Sequence, residues 1–496
     1  MKKLFKEHDL VKVVSIVLIL LVIMTWFIPY GQFGSSATFT EGEVTPIGIV
    51  HIIYGFIYSI QNYAIQIAFL ILIGMFYGVV TKTESYKALV SRIAKSCKGI
   101  EIVVSLVISF IIALLASFLN NTYVLLFFMP FLVSILRRIG LDKISSFAIT
   151  FGSILVGVLG ATYGTEGFIG FIEYVGMYGG EYSIATEIIV RAGVLLLAYI
   201  LFSFFNVIYI KKLFEKKDTK AEVKVIDDKF AVEEPKKKNT KIWLQVVLFA
   251  LLFVFMILGF ITWNTTLNGT EVFGITAFDN FHDWFMGLSI GENEFAIFNV
   301  IFGGSLANFV AELVPAFGNW YLFTYSIVII FVMIVIAIAS KMSVSEFISN
   351  IGEGFKKVIR PIMFLVLAYM AFIFLYWVPI IPTILHEIGN LASGFNPFVA
   401  TLQAFVGSIF NSDFGYLAYS VSPYIAGFSG AEGNLMLVIY TTIYGLVQFI
   451  TPISVFLLFG LAYMNIPYKK WLKYIWKFFV GMLVCLLVIF TLLAYL

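Results

Sequence analysis

Two short polar sequences interrupt long apolar stretches, one in each half of the chain. They are Asn120-Asn121-Thr122 and Asn411-Ser412-Asp413. Amide, hydroxyl and carboxylate oxygens suit a hard monovalent cation, and the N–H groups where a helix begins beside such a turn suit a carboxylate. We therefore expect substrate or ion ligands here, with a candidate Na+ site formed by Asn120, Thr122, Asn411 and Asp413. The alternative is a pair of capped turns without a ligand.

A second polar break follows each interruption about 40 residues further along the chain. Its candidate ligands are Thr162, Thr165 and Glu166 in the first half and Thr451 and Ser454 in the second. Glu166, like Asp413, is an acid in apolar surroundings, where an ionised group is costly and is therefore a functional candidate. Either acid could carry a coupling proton, bind a cation or pair with an ammonium group.

Three further charged residues are weaker candidates. Glu173 and Glu432 could instead reach the outer surface of the membrane. Arg191 lies near the start of the last apolar span of the first half, and it could meet a substrate carboxylate or extend to the membrane surface. The four histidines lack ligand spacing, and the chain has no phosphate-binding G-x-x-x-x-G-K-[ST] loop. Neither a histidine-bound metal centre nor bound ATP is therefore expected. The clustered acids of an integral-membrane metalloenzyme are also absent from the sequence.

The composition requires lipid around most of the surface. Of the 496 residues, 61% are hydrophobic and 12% are charged, whereas a soluble domain carries about 25% charged residues. A soluble, disordered or nucleic-acid-binding protein is therefore excluded, and the net charge of +3 indicates no charged partner. The only cysteines, Cys97 and Cys485, are far apart and support neither a disulfide nor a cysteine metal site.

The two halves repeat one order of elements: an apolar span, an amphipathic segment, the interrupted stretch, the second break and a long final span. The apolar and amphipathic parts are a span ending near residue 80, then 85–94, 102–136 and 188–210 in the first half, and 362–381, 384–391, 398–425 and 478–496 in the second. Two membrane-crossing helices and a turn need roughly 40 residues or more. Because both interrupted stretches are shorter, we predict re-entrant helical hairpins with polar tips near the membrane midplane. Short tilted helices joined by a tight turn are the alternative.

Basic residues indicate that the halves have opposite orientations. Lysine and arginine punctuate residues 82–143 of the first half, whereas 361–468 in the second half contains neither. Because basic loops stay on the cytoplasmic side, equivalent parts of the halves face opposite sides of the membrane. The predicted fold is therefore an all-α integral membrane protein with two inverted repeats, each containing a re-entrant hairpin and a broken helix. That organisation is typical of secondary transporters.

Changes in composition divide the chain into five regions. We expect an N-terminal transmembrane helix and exit loop, a first repeat, a charged cytoplasmic linker, a connecting helix with an extracytoplasmic segment, and a second repeat. Their bounds are 1–46, 47–210, 211–241, 242–318 and 319–496. The basic residues before the first span place the N-terminus in the cytoplasm of a multi-pass protein of the plasma membrane, in a bacterial source.

Near the C-terminus the sequence resembles a known family. Ile450-Thr451-Pro452-Ile453-Ser454, followed by Ile466-Pro467-Tyr468-Lys469-Lys470-Trp471-Leu472-Lys473, is similar to the end of the YfcC-like branch of the C4-dicarboxylate anaerobic carrier family, in the ion transporter superfamily. The segment 25–32 resembles the family's first span and exit, and Asn319-Trp320-Tyr321 resembles its entry to a later span. The resemblance implies an elevator-type fold, a homodimer, and transport of dicarboxylates, other carboxylates or amino acids.

The candidate site residues refine the expected substrate, since they include two acids and at most one arginine. We expect a secondary active transporter of a small amino acid or carboxylate, with an amino acid favoured over a doubly charged anion. Transport would use alternating access, with sodium or proton coupling or with exchange, and would need no other cofactor. A C4-dicarboxylate carrier is the alternative, followed by a channel or an integral-membrane enzyme.

Overall fold

Helices dominate the computed structural model, which describes residues 9–34, 38–164, 169–180, 182, 184–217, 232–236, 240–267, 270–288, 301, 313–411, 413–428 and 430–495. The first half contains α1 (Asp9–Met24), α2 (Ile49–Asn62), α3 (Ala64–Val80), α4 (Glu84–Ser96), α5 (Glu101–Phe118), a 310 helix (Thr122–Phe128), α6 (Met129–Arg138), α7 (Lys143–Phe147), a π-helical turn (Ala148–Gly152), α8 (Ser153–Leu159), α9 (Gly170–Met177) and α10 (Ile184–Lys217).

The second half has the same helical character. It contains α11 (Trp243–Phe260), α12 (Ala277–Met286), α13 (Leu322–Ala339), α14 (Val344–Trp377), α15 (Ile380–Gly389), α16 (Pro397–Ile409), α17 (Phe414–Ile425), α18 (Gly430–Val447), α19 (Val455–Met464) and α20 (Tyr468–Tyr495). Two antiparallel ribbons, β1 (Gly31–Phe33) with β2 (Phe39–Glu41) and β3 (Asn264–Leu267) with β4 (Thr270–Gly274), lie in loops.

Six of the described helices, α5, α10, α11, α13, α14 and α20, are long and apolar enough to cross a membrane. In α5 the exposed residues Val103, Val107 and Phe110 form a stripe at helical spacing, as expected of a surface that faces lipid. α2 and α3 bend by 67° at Tyr63 and together have the length and composition of one span. The chain is therefore a multi-pass membrane protein, as its composition predicts.

α3 and α14 pack closely along an extensive interface. A Cβ atom on Gly78 would lie 2.3 Å from the backbone oxygen of Asn350, and one on Gly354 would lie 2.0 Å from that of Gly74. Glycine at these positions lets the two backbones touch, which is how membrane helices gain van der Waals contact. α14 continues through Pro361 and begins well before the predicted apolar span at 362, because its first turns are amphipathic.

The two hairpins enter the molecule from opposite sides. The base of the first, α5 with the 310 helix and α6, lies at a charged face, defined by the ion pairs Lys82–Glu353 (3.0 Å) and Arg138–Glu234 (2.8 Å). The base of the second, α16 with α17, lies at the other end of α14, where Tyr424 contacts Phe33 at 4.9 Å between ring centroids and the Gly31 N–H donates to the Pro379 carbonyl at 3.1 Å. This arrangement confirms the predicted opposite orientation of the halves.

Helix packing is equivalent in the two halves. α5 packs on α8 and α10 in the first, and α16 packs on α18 and α20 in the second. The arms α16 and α17 have 13 and 12 residues, and at 1.5 Å per residue each is far shorter than the ~30 Å hydrocarbon core. The predicted inverted repeats with re-entrant hairpins and broken helices are therefore confirmed.

Candidate functional site

A cavity of about 390 Å3 lies where both hairpins and both helix breaks meet. Its volume is within the range of small-molecule sites. It is lined from the first half by Tyr63, Gln66, Ala116, Leu119, Thr122, Tyr123, Val158, Ala161, Gly164, Gly170, Phe171, Glu173 and Tyr174, and from the second half by Asp413, Phe414, Gly415, Ala418, Thr441, Tyr444, Gln448, Val455 and Phe456.

The second hairpin tip presents a carboxylate to this cavity. Asp413 is the N-cap of α17, and its Oδ1 accepts a hydrogen bond from the Tyr416 backbone N–H at 2.9 Å. Its Oδ2 accepts from the Tyr63 hydroxyl at 3.1 Å, and its own N–H donates to Asn411 Oδ1 at 3.1 Å. The carboxylate is therefore fixed by two hydrogen bonds, and the fully buried Asn411 supports the backbone of the tip through a third.

The first hairpin tip is bonded back into the protein instead. The Asn120 N–H donates to the Phe260 carbonyl at 2.8 Å, and its side-chain amide donates to the Gly318 carbonyl at 3.3 Å. Asn121 caps the 310 helix by accepting from the Tyr123 N–H at 3.1 Å. Of the three predicted residues, Thr122 lines the cavity, while Asn120 and Asn121 hold the tip in place.

Each break is tied to the first arm of its own hairpin. The N–H groups of Thr162, Tyr163 and Gly164 all donate to the Ser117 carbonyl, each at 3.2 Å. In the second half the Thr451 hydroxyl donates to the Ile409 carbonyl at 2.7 Å. Thr162 and Thr451 therefore join break to hairpin rather than facing the cavity.

The remaining predicted site residues divide into two groups. Ser454 is buried at the N-cap position of α19, without a side-chain capping bond. Thr165, Glu166 and Ser412 lie outside the described residues. The predicted Na+ ligands therefore do not share one position: Thr122 and Asp413 line the same cavity, Asn411 supports Asp413, and the Asn120 side chain is directed to Gly318.

The cavity wall is acidic and aromatic. Asp413 and Glu173 supply carboxylates, whereas no described lining residue is a lysine or arginine. The aromatic lining residues are Tyr63, Tyr123, Phe171, Tyr174, Phe414, Tyr444 and Phe456. Carboxylates attract a cation, and aromatic faces stabilise it further through their quadrupole.

Arg191 is buried behind this wall, with 1% of its surface exposed. Its guanidinium donates to the Thr441 hydroxyl at 3.0 Å, to the Leu437 carbonyl at 3.1 Å and to the Ala161 carbonyl at 3.3 Å. The side chain therefore joins α10 to α18 and to the first break, and it does not extend to the membrane surface. Its charge lies next to the cavity, separated from it by Thr441.

Comparison with known proteins gives the family. The family model described as C4-dicarboxylate anaerobic carrier matches residues 8–495. The chain is a member of the C4-dicarboxylate anaerobic carrier family. The resemblance seen in the C-terminal sequence is thereby confirmed, and the protein belongs to a family of membrane transporters.

Two solved structures are similar to this carrier at low identity. Neisseria gonorrhoeae MtrF, described as illuminating a class of antimetabolite efflux pumps, is 13% identical, covers 97% of this chain and 94% of its own, and has a TM-score of 0.37. The Alcanivorax borkumensis YdaH transporter, described as having an unusual topology, is 12% identical, covers 97% of both chains and has a TM-score of 0.39. No curated protein matches the carrier.

Sequence reasoning missed several residues that line the carrier's cavity. Tyr63 and Gln66 lie beside Gln61 and Asn62, polar residues within the apolar run 49–80 that were a usable signal for a break. Gln448 lies three residues before the Thr451 break, where an amide within an apolar helix was a usable signal. Glu173, ranked as a weaker candidate, lines the cavity and is exposed there, which places a second carboxylate at the wall.

Proposed function

We propose that this protein is a secondary active transporter that moves a small amino acid or amino-acid-like compound by alternating access. One observation carries the proposal: Asp413 and Glu173 line a cavity enclosed by both hairpins, with no basic residue among its described lining. An ammonium group would lie near these carboxylates. The carboxylate of the same compound would find donors at Gln448 and at the N-terminus of α19, where Ser454 supplies no capping bond.

A C4-dicarboxylate is the second candidate, because the family's description names that substrate. Two like charges 4 Å apart repel by about 4 kcal/mol at an effective dielectric constant of about 20. A dicarboxylate in this cavity would meet that repulsion from Asp413 unless a bound cation or proton offset it. Arg191 and the helix N-termini would then have to hold the anion, with the guanidinium acting through Thr441.

The coupling ion we propose is a proton or Na+ at Asp413. Thr122, which lines the same cavity, and Asn411 at the second tip are further proposed oxygen donors for Na+. Exchange of one substrate for another would use the same site without an ion.

The membrane context of the proposal follows from the basic residues. We assign the charged face to the cytoplasm of a bacterial plasma membrane, since lysine and arginine are retained on that side. A homodimer is proposed because the family resemblance implies one. An enzyme or a channel is not favoured, since the carrier family and a cavity of small-molecule size lined by both halves support transport of a bound small molecule.

Reconstituted liposomes test the proposal. Asp413→Asn should reduce amino acid uptake at least about a hundredfold, because the substituted asparagine keeps the helix cap but removes the charge. Asp142→Asn is the matched control: Asp142 also caps a helix, accepting from the Ser145 N–H, and also accepts from a tyrosine, Tyr209, at 2.8 Å. Asp142 lies at the charged face. Uptake by the Asp142→Asn variant should therefore stay within about twofold of wild type, well below the tenfold change that corresponds to about 1.4 kcal/mol.

Three results would contradict the proposal. Ionic currents far above carrier turnover would indicate a channel, and product formation in detergent without any gradient would indicate an enzyme. Equal uptake by wild type and Asp413→Asn would mean that the carboxylate has no part in transport.

A further inference from the structure

Two tyrosines stack face to face at the boundary between the α3–α14 pair and the hairpins. Tyr63 lies at the bend between α2 and α3, and Tyr369 lies in α14. Their ring centroids are 3.5 Å apart and the rings are 2° from parallel. Both side chains are buried, at 6% and 1% exposure. Neither ring can therefore tilt without displacing the other.

The two hydroxyls bond to different hairpins. The Tyr63 hydroxyl donates to Asp413 Oδ2 at the second tip, at 3.1 Å. The Tyr369 hydroxyl lies 2.7 Å from the hydroxyl of Tyr123, in the 310 helix that follows the first tip. The stacked pair thus connects both hairpins to the α3–α14 pair, and Tyr63, Tyr123 and Asp413 all line the cavity.

We propose that Tyr63 and Tyr369 form a latch that holds both hairpins against the α3–α14 pair until a cation binds at Asp413. The inference rests on the proposed transport function and adds positioning residues to it. A hydrogen bond to an ionised carboxylate is roughly twice as strong as one between neutral groups. A bound cation competes for the same oxygens and so weakens the bond from Tyr63.

Stacking makes the release cooperative. When Tyr63 loses its acceptor, its ring is free to move, and Tyr369 must move with it because the faces are in contact. The Tyr369–Tyr123 bond then breaks in the same step. An empty carrier therefore stays latched while an occupied one reorients, which is the condition for coupled transport.

Cysteine accessibility tests the latch without any knowledge of the substrate. Cys97→Ala and Cys485→Ala remove both native thiols, and Tyr174→Cys adds one sulfur at a half-buried position of the cavity wall on α9. A membrane-impermeant maleimide is applied to each side of the membrane in the absence of ligand. The ratio of the two modification rates reports how often the empty carrier reorients.

Tyr63→Phe and Tyr369→Phe keep the rings and remove one hydroxyl each. Each should raise the reaction rate from the less accessible side about tenfold, which corresponds to about 1.4 kcal/mol. The double variant should show no more than the single ones, because the two bonds act together. Tyr123→Phe removes the other hydroxyl of the Tyr369–Tyr123 bond. Its reaction rate should match that of Tyr369→Phe, so the test does not depend on one variant folding. Tyr58→Phe, one turn earlier in α2, is the matched control and should stay at the wild-type rate.

Two outcomes would overturn the latch. Wild-type rates in Tyr63→Phe, Tyr369→Phe and Tyr123→Phe would show that the bonds do not hold the hairpins. A hundredfold rise in the double variant would show that they act independently. Modification from one side only in every variant, including Asp413→Asn, would instead overturn alternating access and thus the proposed function itself.

Discussion

The two hairpin tips occupy equivalent positions in the repeats but differ in chemistry. At the first tip, the backbone and side-chain N–H groups of Asn120 donate to the carbonyls of Phe260 and Gly318. At the second tip, Asp413 faces the cavity, and among the described residues the Tyr63 hydroxyl is its side-chain partner from outside the hairpin. The same hairpin backbone therefore serves different purposes in the two halves. Its tip is bonded to neighbouring helices and loops in the first half, and it presents a carboxylate to the cavity in the second.

The hairpin bases differ as well. Glu234 of the linker accepts from the Ser91 hydroxyl at 3.0 Å and pairs with Arg138 at 2.8 Å, which holds the first base by charge. The second base is held by aromatic contacts with the β1 ribbon, such as Phe33 with Tyr424 at 4.9 Å between ring centroids. The base of the first hairpin is thus held largely by charge, whereas the base of the second is held largely by aromatic contacts.

Moving the negative charge from one tip to the other should have the largest effect. In Asn121→Asp with Asp413→Asn, both helix caps and the net charge are preserved. Because Asn121 is not among the lining residues, uptake should stay at least about a hundredfold below wild type, a loss of about 2.7 kcal/mol. Uptake in liposomes is the measurement, and Asn121→Asp alone is the control. Recovery of transport in the double variant would mean that the two tips are interchangeable.

Removing the hydrogen bonds between each break and its hairpin should have a smaller effect, which is measured as a loss of stability. The loss should be larger in the first half than in the second. Ser117 Oγ donates to the Gly160 carbonyl, accepts from the Thr162 N–H and contacts the Thr162 hydroxyl. Ser117→Ala should therefore lower the free energy of unfolding by about 2–3 kcal/mol, since it leaves buried polar groups unsatisfied. Thr451→Val removes one hydrogen bond and should cost about 1 kcal/mol. Thermal unfolding in detergent measures both, and equal losses would contradict the difference between the breaks.

Added salt should weaken the contacts at the base of the first hairpin and leave those at the base of the second unchanged. This is the smallest of the expected effects. Raising the salt concentration to about 1 M shortens the Debye length to about 3 Å and weakens exposed ion pairs worth less than about 1 kcal/mol. The rate of amide hydrogen exchange at the end of α6 should therefore rise about twofold, whereas the rate at the end of α17 should not change. Glu234→Gln should remove the salt dependence. A similar rise at both bases would show that charge does not distinguish them.

Lowering the pH should weaken the contacts between the linker and α4, next to the base of the first hairpin. Glu84 in α4 accepts a hydrogen bond from the Lys236 N–H at 2.7 Å. Partial burial raises the pKa of Glu84, but the Lys236 and Lys87 contacts outweigh it and the pKa lies below its ordinary value. The contact is therefore present above the ordinary carboxyl pKa and is lost as the pH falls through the lowered value. Exchange at the linker measured against pH, with Glu84→Gln as the control, checks the direction.

Sequence alone predicted the elements better than the orientation of single residues. Polar sequences within apolar stretches reveal hairpin tips and breaks, since irregular backbone in a membrane must be enclosed by protein or water. Which side chain of a tip faces the cavity depends on the rotation of the arms, and that is set by packing. Asn120 and Asn411 hold the same place in the two polar sequences. Asn120 nevertheless bonds to the carbonyls of Phe260 and Gly318, whereas Asn411 accepts from the Asp413 N–H.

Other features depend on packing that the sequence does not show. Gln61 and Asn62 interrupt the apolar run 49–80, but only the fold shows that the helix bends by 67° there and that Tyr63 then contacts Asp413. Burial of Arg191 depends on carbonyls freed by the first break and on Thr441, far away in the chain. The five domain boundaries, the roles of Thr165, Glu166 and Ser412, the coupling ion and the homodimer stay predictions.

Ligand-dependent thermal stability tests the central claim most directly. Wild type and Asp413→Asn are heated with neutral and basic amino acids and with C4-dicarboxylates, each with and without Na+. A ligand at about 100 times its dissociation constant adds about 2.7 kcal/mol to the folded state. We expect an amino acid to raise the melting temperature of wild type and to leave Asp413→Asn unchanged. Stabilisation by a dicarboxylate alone, equal in wild type and Asp413→Asn, would contradict a site whose charge is supplied by the second hairpin.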